Sequence, residues 1–279
     1  MNTTTIDIIT DRPTTSVVII TPEMAKRWLE RNVSNRPVSA ITVAKYRRDM
    51  EAGLWHFTNA GIAWDADGNI IDGQHRLYAI SQLASGQGVA MNVTRGLPPE
   101  SRFYIDQGRK RTPGNQLAMA GIKNYNHNAA GAKFFLVWQS GVIFRDTHQA
   151  QLITAPQIQE WVHSHPDLIR LANESHQHLI KNDAQPSVAR AAFFAFAKIS
   201  PQQAHMFFEK LSTGAGLEAG SPILALRQRL ETDRRTKRRR TQREQLGLVI
   251  NAWNAWRKGR AVASVAPKAW TESNFPVPA

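Results

Sequence analysis

Five consecutive residues, Asp72-Gly73-Gln74-His75-Arg76, offer the clearest chemistry in this chain. An apolar run, Asn69-Ile70-Ile71, precedes them, and a helical pattern, Leu77-Tyr78-Ala79-Ile80-Ser81-Gln82-Leu83, follows. A strand, a glycine turn and a helix start together suit phosphate. The first N–H groups of a helix lack internal partners, and its dipole places partial positive charge there. Gly73 lets backbone come close to a ligand. Arg76 presents a fork of donors matched to phosphate oxygens, and His75 can donate beside it. Asp72 can hold a magnesium ion or orient a water molecule. The same letters also read as Asp72 capping the helix, with Arg76 in a surface ion pair. The five residues alone leave both readings open.

Two further stretches concentrate positive charge. Asp106-Gln107-Gly108-Arg109-Lys110-Arg111-Thr112 joins an acid, a glycine and three cations. Arg109 and Arg111 can reach the same phosphates as Arg76, or a DNA backbone; Thr112 before Pro113 equally reads as a helix cap with a solvated basic lead-in. Residues 227–243 hold nine Lys or Arg against Glu231 and Asp233, a net +7 out of +13 for the whole chain. Such a bias favours polyanions, nucleic acid above all. Arg234, Arg235, Lys237, Arg238, Arg239 and Arg240 read as an arm contacting DNA phosphates, the alternative being a self-repelling, solvated linker.

The elements that must position these residues follow from pattern and punctuation. Residues 1–15 are Thr-rich and expected to fray. Ser16-Val17-Val18-Ile19-Ile20 predicts a buried strand. Thr21-Pro22-Glu23 starts a helix running to about Arg31. Ser39 caps a second, basic helix with Lys45, Arg47 and Arg48, which ends before Gly53. Gly61-Ile62-Ala63-Trp64 and Asn69-Ile70-Ile71 predict a β-hairpin with Asp67-Gly68 in its turn. A calcium loop on Asp65, Asp67 and Asn69 fails, because the glycine and glutamate positions hold Ile70 and Arg76. Val89-Ala90-Met91-Asn92-Val93 predicts another strand. From Pro113 onward the signals are helical, over about 113–121, 126–140, 155–164, 167–181, 187–198, 201–212, 221–233 and 241–257. His163 with His165, and His176 with His178, are spaced for different helix faces, so they read as surface histidines rather than metal pairs.

Gly73-Gln74-His75-Arg76-Leu77-Tyr78-Ala79 resembles the phosphate-binding motif of the ParB/sulfiredoxin superfamily. Gly73, Arg76 and Ala79 match the spacing of partition-protein domains; Gly73, His75 and Arg76 match sulfiredoxin. Gln74 stands where sulfiredoxin has its reactive cysteine, which excludes that chemistry. Free-serine kinases of the same fold differ from Asp72-Gly73-Gln74-His75-Arg76 only at Gln74. The pattern is most similar to the DGQHR group of ParB-like proteins from phages, plasmids and DNA-modification systems. That group also carries a block like Arg36, helix, Gly53-Leu54-Trp55, and a segment like Asp106 to Arg111. The resemblance covers roughly residues 16–112.

The resemblance implies an α+β fold: a ParB/sulfiredoxin-like mixed sheet with helices over 16–112. An all-helical region over 113–260, containing the basic segment 227–243, and an extended tail over 261–279 then follow. It implies a DNA-associated protein that binds ATP or CTP with Mg2+ and slowly hydrolyses it. Gly73, Gln74, His75, Arg76, Arg109 and Arg111 would bind the nucleotide, and Asp72, His75 and Arg76 would be catalytic, with Asp72 at the metal. A DNA nuclease acting on phosphodiesters is the second reading, and a non-enzymatic DNA-binding or accessory factor the third. A free-serine kinase is disfavoured by the basic C-terminal region. A homo-oligomer is left open.

Composition bounds these readings. The absence of cysteine removes disulfides, thiolate catalysis and sulfur-ligated zinc, and fits a reducing cytoplasm. No apolar run approaches a membrane span, and Met1-Asn2-Thr3-Thr4-Thr5 lacks the layout of a signal peptide. Hydrophobic content of 42% is enough for a packed core.

Overall fold

The computed structural model describes residues 13–33, 35, 37–103, 105, 112–145, 153–265 and 270–279. The chain divides into two compact units, Met1–Lys110 and Arg111–Ala279. It is an α+β protein. Arg36, Arg109 and Arg111, singled out above, lie outside the described residues.

The first unit holds a four-stranded mixed sheet in the order β1-β4-β2-β3. Its strands are β1 (Thr14–Ile20), β2 (Ile62–Asp65), β3 (Ile70–Asp72) and β4 (Val89–Leu97). β4 runs antiparallel to β1 and parallel to β2, and β2 and β3 form the expected antiparallel hairpin. Gly68 makes its turn at φ 76°. Asp65 serves this turn: its Oδ1 accepts from the Asn69 N–H at 2.7 Å. Helices α1 (Pro22–Leu29), α2 (Ala40–Glu51) and α3 (Gln74–Ile80) complete the unit, with Thr21 and Ser39 as the expected caps of α1 and α2. Ile20, Ile62, Trp64, Ile70, Leu77, Ile80, Met91 and Val93 form its core.

β1 differs from expectation. It is an edge strand, and Val17 and Ile19 are 63% and 66% exposed while Ile20 is buried. The apolar run suggested burial on both faces, but period-two alternation sends only one face to the core. β4 also runs four residues beyond Val93.

The second unit is helical in its described residues. It contains α4 (Pro113–Met119), α5 (Tyr125–Gln139), α6 (Ala155–Ser164), α7 (Pro166–Glu174) and α8 (His176–Ile180). α9 (Pro186–Ile199), α10 (Pro201–Thr213), α11 (Pro222–Arg235) and α12 (Gln242–Arg257) follow. Four of these starts show why: proline in the first turn behind a capping Thr or Ser, at Thr112, Thr154, Ser200 and Ser221. The helix expected over 167–181 breaks at Ser175, whose buried hydroxyl is hydrogen-bonded with His205 Nδ1 at 2.8 Å. Phe135, Phe193, Phe194, Phe196, Phe207, Phe208 and Trp253 fill the core. The tail is not merely extended. Trp270 is buried in that core against Gly247, where a Cβ would meet the indole at 2.6 Å, and Asn254 Nδ2 donates to the Val277 carbonyl at 2.8 Å.

One polar cluster sits inside this unit. Arg190 of α9 is buried, and its stem crosses α5 at Gly131, where a Cβ would lie 2.6 Å from Arg190 Cγ. Its guanidinium donates to Asn128 Oδ1 and, at 2.8 Å, to His176 Nδ1. Burial pulls its pKa down to about 10. His176 packs edge-on against His127 at 5.1 Å, and burial and the Arg190 charge hold both imidazoles below their usual pKa. His178 turns the other way, to His205 and Ser212. The adjacent histidines do face apart, but they are half-buried partners of other side chains rather than plain surface residues.

Candidate functional site

The Asp72–Arg76 motif joins the end of β3 to the start of α3. Gly73 is the N-cap of α3 at φ 96°, with no side-chain cap. That backbone conformation suits glycine. A Cβ there would also lie 2.6 Å from Ile62 Cδ1 and 3.0 Å from the Gly61 carbonyl oxygen, so close approach to β2 requires glycine too.

Each motif side chain has a structural task. Asp72 Oδ1 accepts from the Gly73 N–H at 2.6 Å, and its Oδ2 accepts from Arg76 Nη2 at 2.7 Å. Arg76 also donates from Nε and Nη2 to the Gly61 carbonyl, at 3.0 and 2.7 Å. The guanidinium thus ties the start of β2 to the end of β3, leaving Nη1 outside these bonds. Gln74 is buried and accepts from Asn32 Nδ2 at 3.2 Å. Asn35 extends this tie, donating to Asn32 Oδ1 and to the Ile70 carbonyl, both at 2.6 Å. His75 Nε2 accepts the backbone N–H of Ser39 at 3.0 Å, which places the ring proton on Nδ1 and leaves the ring neutral in this bond.

That last bond matters for ligand chemistry. Ser39 is the N-cap of α2 and His75 belongs to the first turn of α3, so two helix starts meet within the unit. Neither first turn carries an acidic side chain. The positive helix ends favour an anion, although at α3 the Asp72 carboxylate already takes the Gly73 N–H.

The geometry revises three expectations. Asp72 is not the helix cap; Gly73 is. The magnesium role fits Asp72 poorly, since one oxygen serves Gly73 and the other is neutralised by Arg76. Among the described residues no group of three or more His, Asp or Glu is placed to share a metal. Arg76 is not a fully extended phosphate hook, because most of its donors are committed to Gly61 and Asp72. The motif residues that sequence reading missed are Asn32, Asn35, Ser39 and Gly61. Gly61 left a signal as a glycine opening a strand, and Ser39 as the cap of α2.

The basic segment is also not an arm. Arg234 and Arg235 form the last turn of α11, and Arg240 is buried, bound to both carboxylate oxygens of Asp233. Arg240 therefore leaves the set of expected DNA contacts. Asp233 raises its pKa further through that bond. Arg234 pairs with Asp183 at 3.0 Å. Arg235, Lys237, Arg238 and Arg239 are exposed.

Compared with known proteins, the chain matches no family model, no curated protein and no solved structure. Among the described residues no helix is long and apolar enough to cross a membrane.

Proposed function

We propose that the first unit binds the phosphates of a nucleoside triphosphate, ATP or CTP, at the start of α3, in a protein that associates with DNA. The observation that carries this reading is the Ser39–His75 hydrogen bond at 3.0 Å, which brings the N-termini of α2 and α3 together. Backbone N–H groups of Gln74, His75 and Arg76 would receive the phosphates, Gly73 would allow the approach, and Arg76 Nη1 would add one charged donor. The ParB-like resemblance of Gly73 to Ala79 supports a nucleotide over a bare anion, and the net charge of +13 supports a nucleic-acid partner.

Binding without turnover is the second reading. The Asp72–Arg76 ion pair favours it, because both carboxylate oxygens already have partners, the Gly73 N–H and the Arg76 guanidinium, which leaves little room for a metal or an attacking water. It fits an accessory factor better than a nuclease or an efficient hydrolase.

A thermal-shift panel with ATP, ADP, CTP and GTP, with and without magnesium, tests the proposal. A triphosphate at a hundred times its Kd should stabilise the unit by about 2.7 kcal/mol. No shift with any of the four refutes nucleotide binding.

A further inference from the structure

The turn between α11 and α12 is built on one ion pair. Arg240, with 0% of its side chain exposed, places Nε and Nη2 on the two oxygens of Asp233, seven residues earlier. The Lys237 N–H donates to the Arg234 carbonyl at 3.1 Å and the Arg238 N–H to the Asp233 carbonyl at 2.9 Å, winding the chain around this pair. Lys237 is held at φ 55°, a left-handed conformation that a lysine adopts where its surroundings impose it.

One side of the turn is docked. Gln185 Nε2 donates to the Arg240 carbonyl at 3.1 Å, Gln242 Nε2 donates to Ser187 Oγ at 2.8 Å, and Arg234 pairs with Asp183. Arg235, Lys237, Arg238 and Arg239 are all exposed. The eight residues 234–241 include no apolar or aromatic side chain. The turn therefore has no apolar side chain to insert into a membrane and no aromatic ring for an unpaired base to stack on. Cations held on a rigid turn suit phosphates that are themselves regularly spaced, those of a duplex backbone.

We infer that residues 234–241 form a preorganised clamp for the phosphate backbone of duplex DNA, with Asp233 and Arg240 as its positioning residues. This rests on the DNA-associated reading above. Charge and geometry oppose each other at Asp233. Asp233→Asn adds one unit of positive charge, so a disordered cloud of cations would bind DNA more tightly. A clamp that has lost its internal brace binds more weakly, because the turn must be ordered on contact.

The test is filter binding of the full chain to one duplex across a salt series. Four neutralised phosphates give a log–log slope of about −3.6 for the wild type. Replacing Arg235, Lys237, Arg238 and Arg239 together by Gln flattens that slope. Asp233→Asn binds about tenfold more weakly at equal salt. The exchange variant Asp233→Arg with Arg240→Asp, which keeps the pair and the net charge, restores affinity. Folding of each variant is checked by circular dichroism. Trypsin provides a readout independent of DNA: the wild-type turn resists cleavage, and Asp233→Asn opens it.

Asp233→Asn binding as tightly as wild type, or equal tryptic rates in the two proteins, overturns the clamp. Anionic vesicles or single strands bound as strongly as the duplex overturn the assignment of its partner. A wild type without salt-dependent DNA binding refutes instead the reading on which the clamp rests.

Discussion

Arg76 and Asp72 hold each other across the junction of β3 and α3, Nη2 to Oδ2 at 2.7 Å, while the same guanidinium grips the Gly61 carbonyl. The motif is thus a structural brace between β2 and β3. Arg76→Ala should lower the stability of the first unit by about 2 kcal/mol, since it removes several charge-assisted bonds from a largely enclosed position. Arg76→Lys, a point charge without the fork, should recover only part of that. Urea titrations of the three proteins measure it. Wild-type stability in Arg76→Ala would mean that the brace contributes little.

The strand β1 separates two kinds of apolar residue. Ile20→Ala should cost about 2–4 kcal/mol, because it empties a fully enclosed position. Ile19→Thr, one residue away on the exposed face, should stay within about 0.5 kcal/mol of wild type. Equal losses would place both side chains in the core.

How far these residues could be read in advance depended on the range of the interaction. The second unit was legible because its helices announce themselves locally: Thr112-Pro113, Ser200-Pro201 and Ser221-Pro222 each set a start from two neighbouring residues. The hairpin at Asp67-Gly68 was legible for the same reason. The exposure of one face of β1 was not, because which face of a strand meets the core is a property of the whole sheet. Nor was the commitment of Arg76 to Gly61, fifteen residues away, or that of Gln74 to Asn32, which no local pattern encodes. Charge density suggested an arm at 234–240, yet the two residues that order it, Asp233 and Arg240, look on the sequence like one more acid and one more base.

Acid should destabilise the helical unit through His127 and His176. Both imidazoles are held below their ordinary pKa in the folded chain, by burial first and then by Arg190. Unfolding frees them to bind protons near pH 6.5, the ordinary histidine value. Their contribution is therefore present above that pH and is lost as pH falls through it toward the depressed folded values. Denaturant midpoints at pH 7.5 and pH 5 should differ more for wild type than for the His127→Gln, His176→Gln double variant. Identical pH dependence would remove these two residues as the cause.

Gly131 exists to let Arg190 cross α5. Gly131→Ala should destabilise the second unit by about 1–3 kcal/mol, because its Cβ would strike the arginine stem. In an Arg190→Ala background the same substitution should cost less, since Cγ and Cδ are gone and only the Cβ contact at 2.8 Å is left. Additive losses in the double variant would contradict the packing argument.

The central claim is that triphosphate oxygens meet the backbone N–H groups of Gln74, His75 and Arg76 at the start of α3. Amide chemical shifts of the full, isotope-labelled chain, followed while ATP and then CTP is added, test it directly. Saturable shifts are expected, largest at Gln74, His75 and Arg76 and extending to Ser39 through its bond to His75. Shifts confined to the basic residues of the second unit, or none at residues 73–76 at saturating nucleotide, would contradict it.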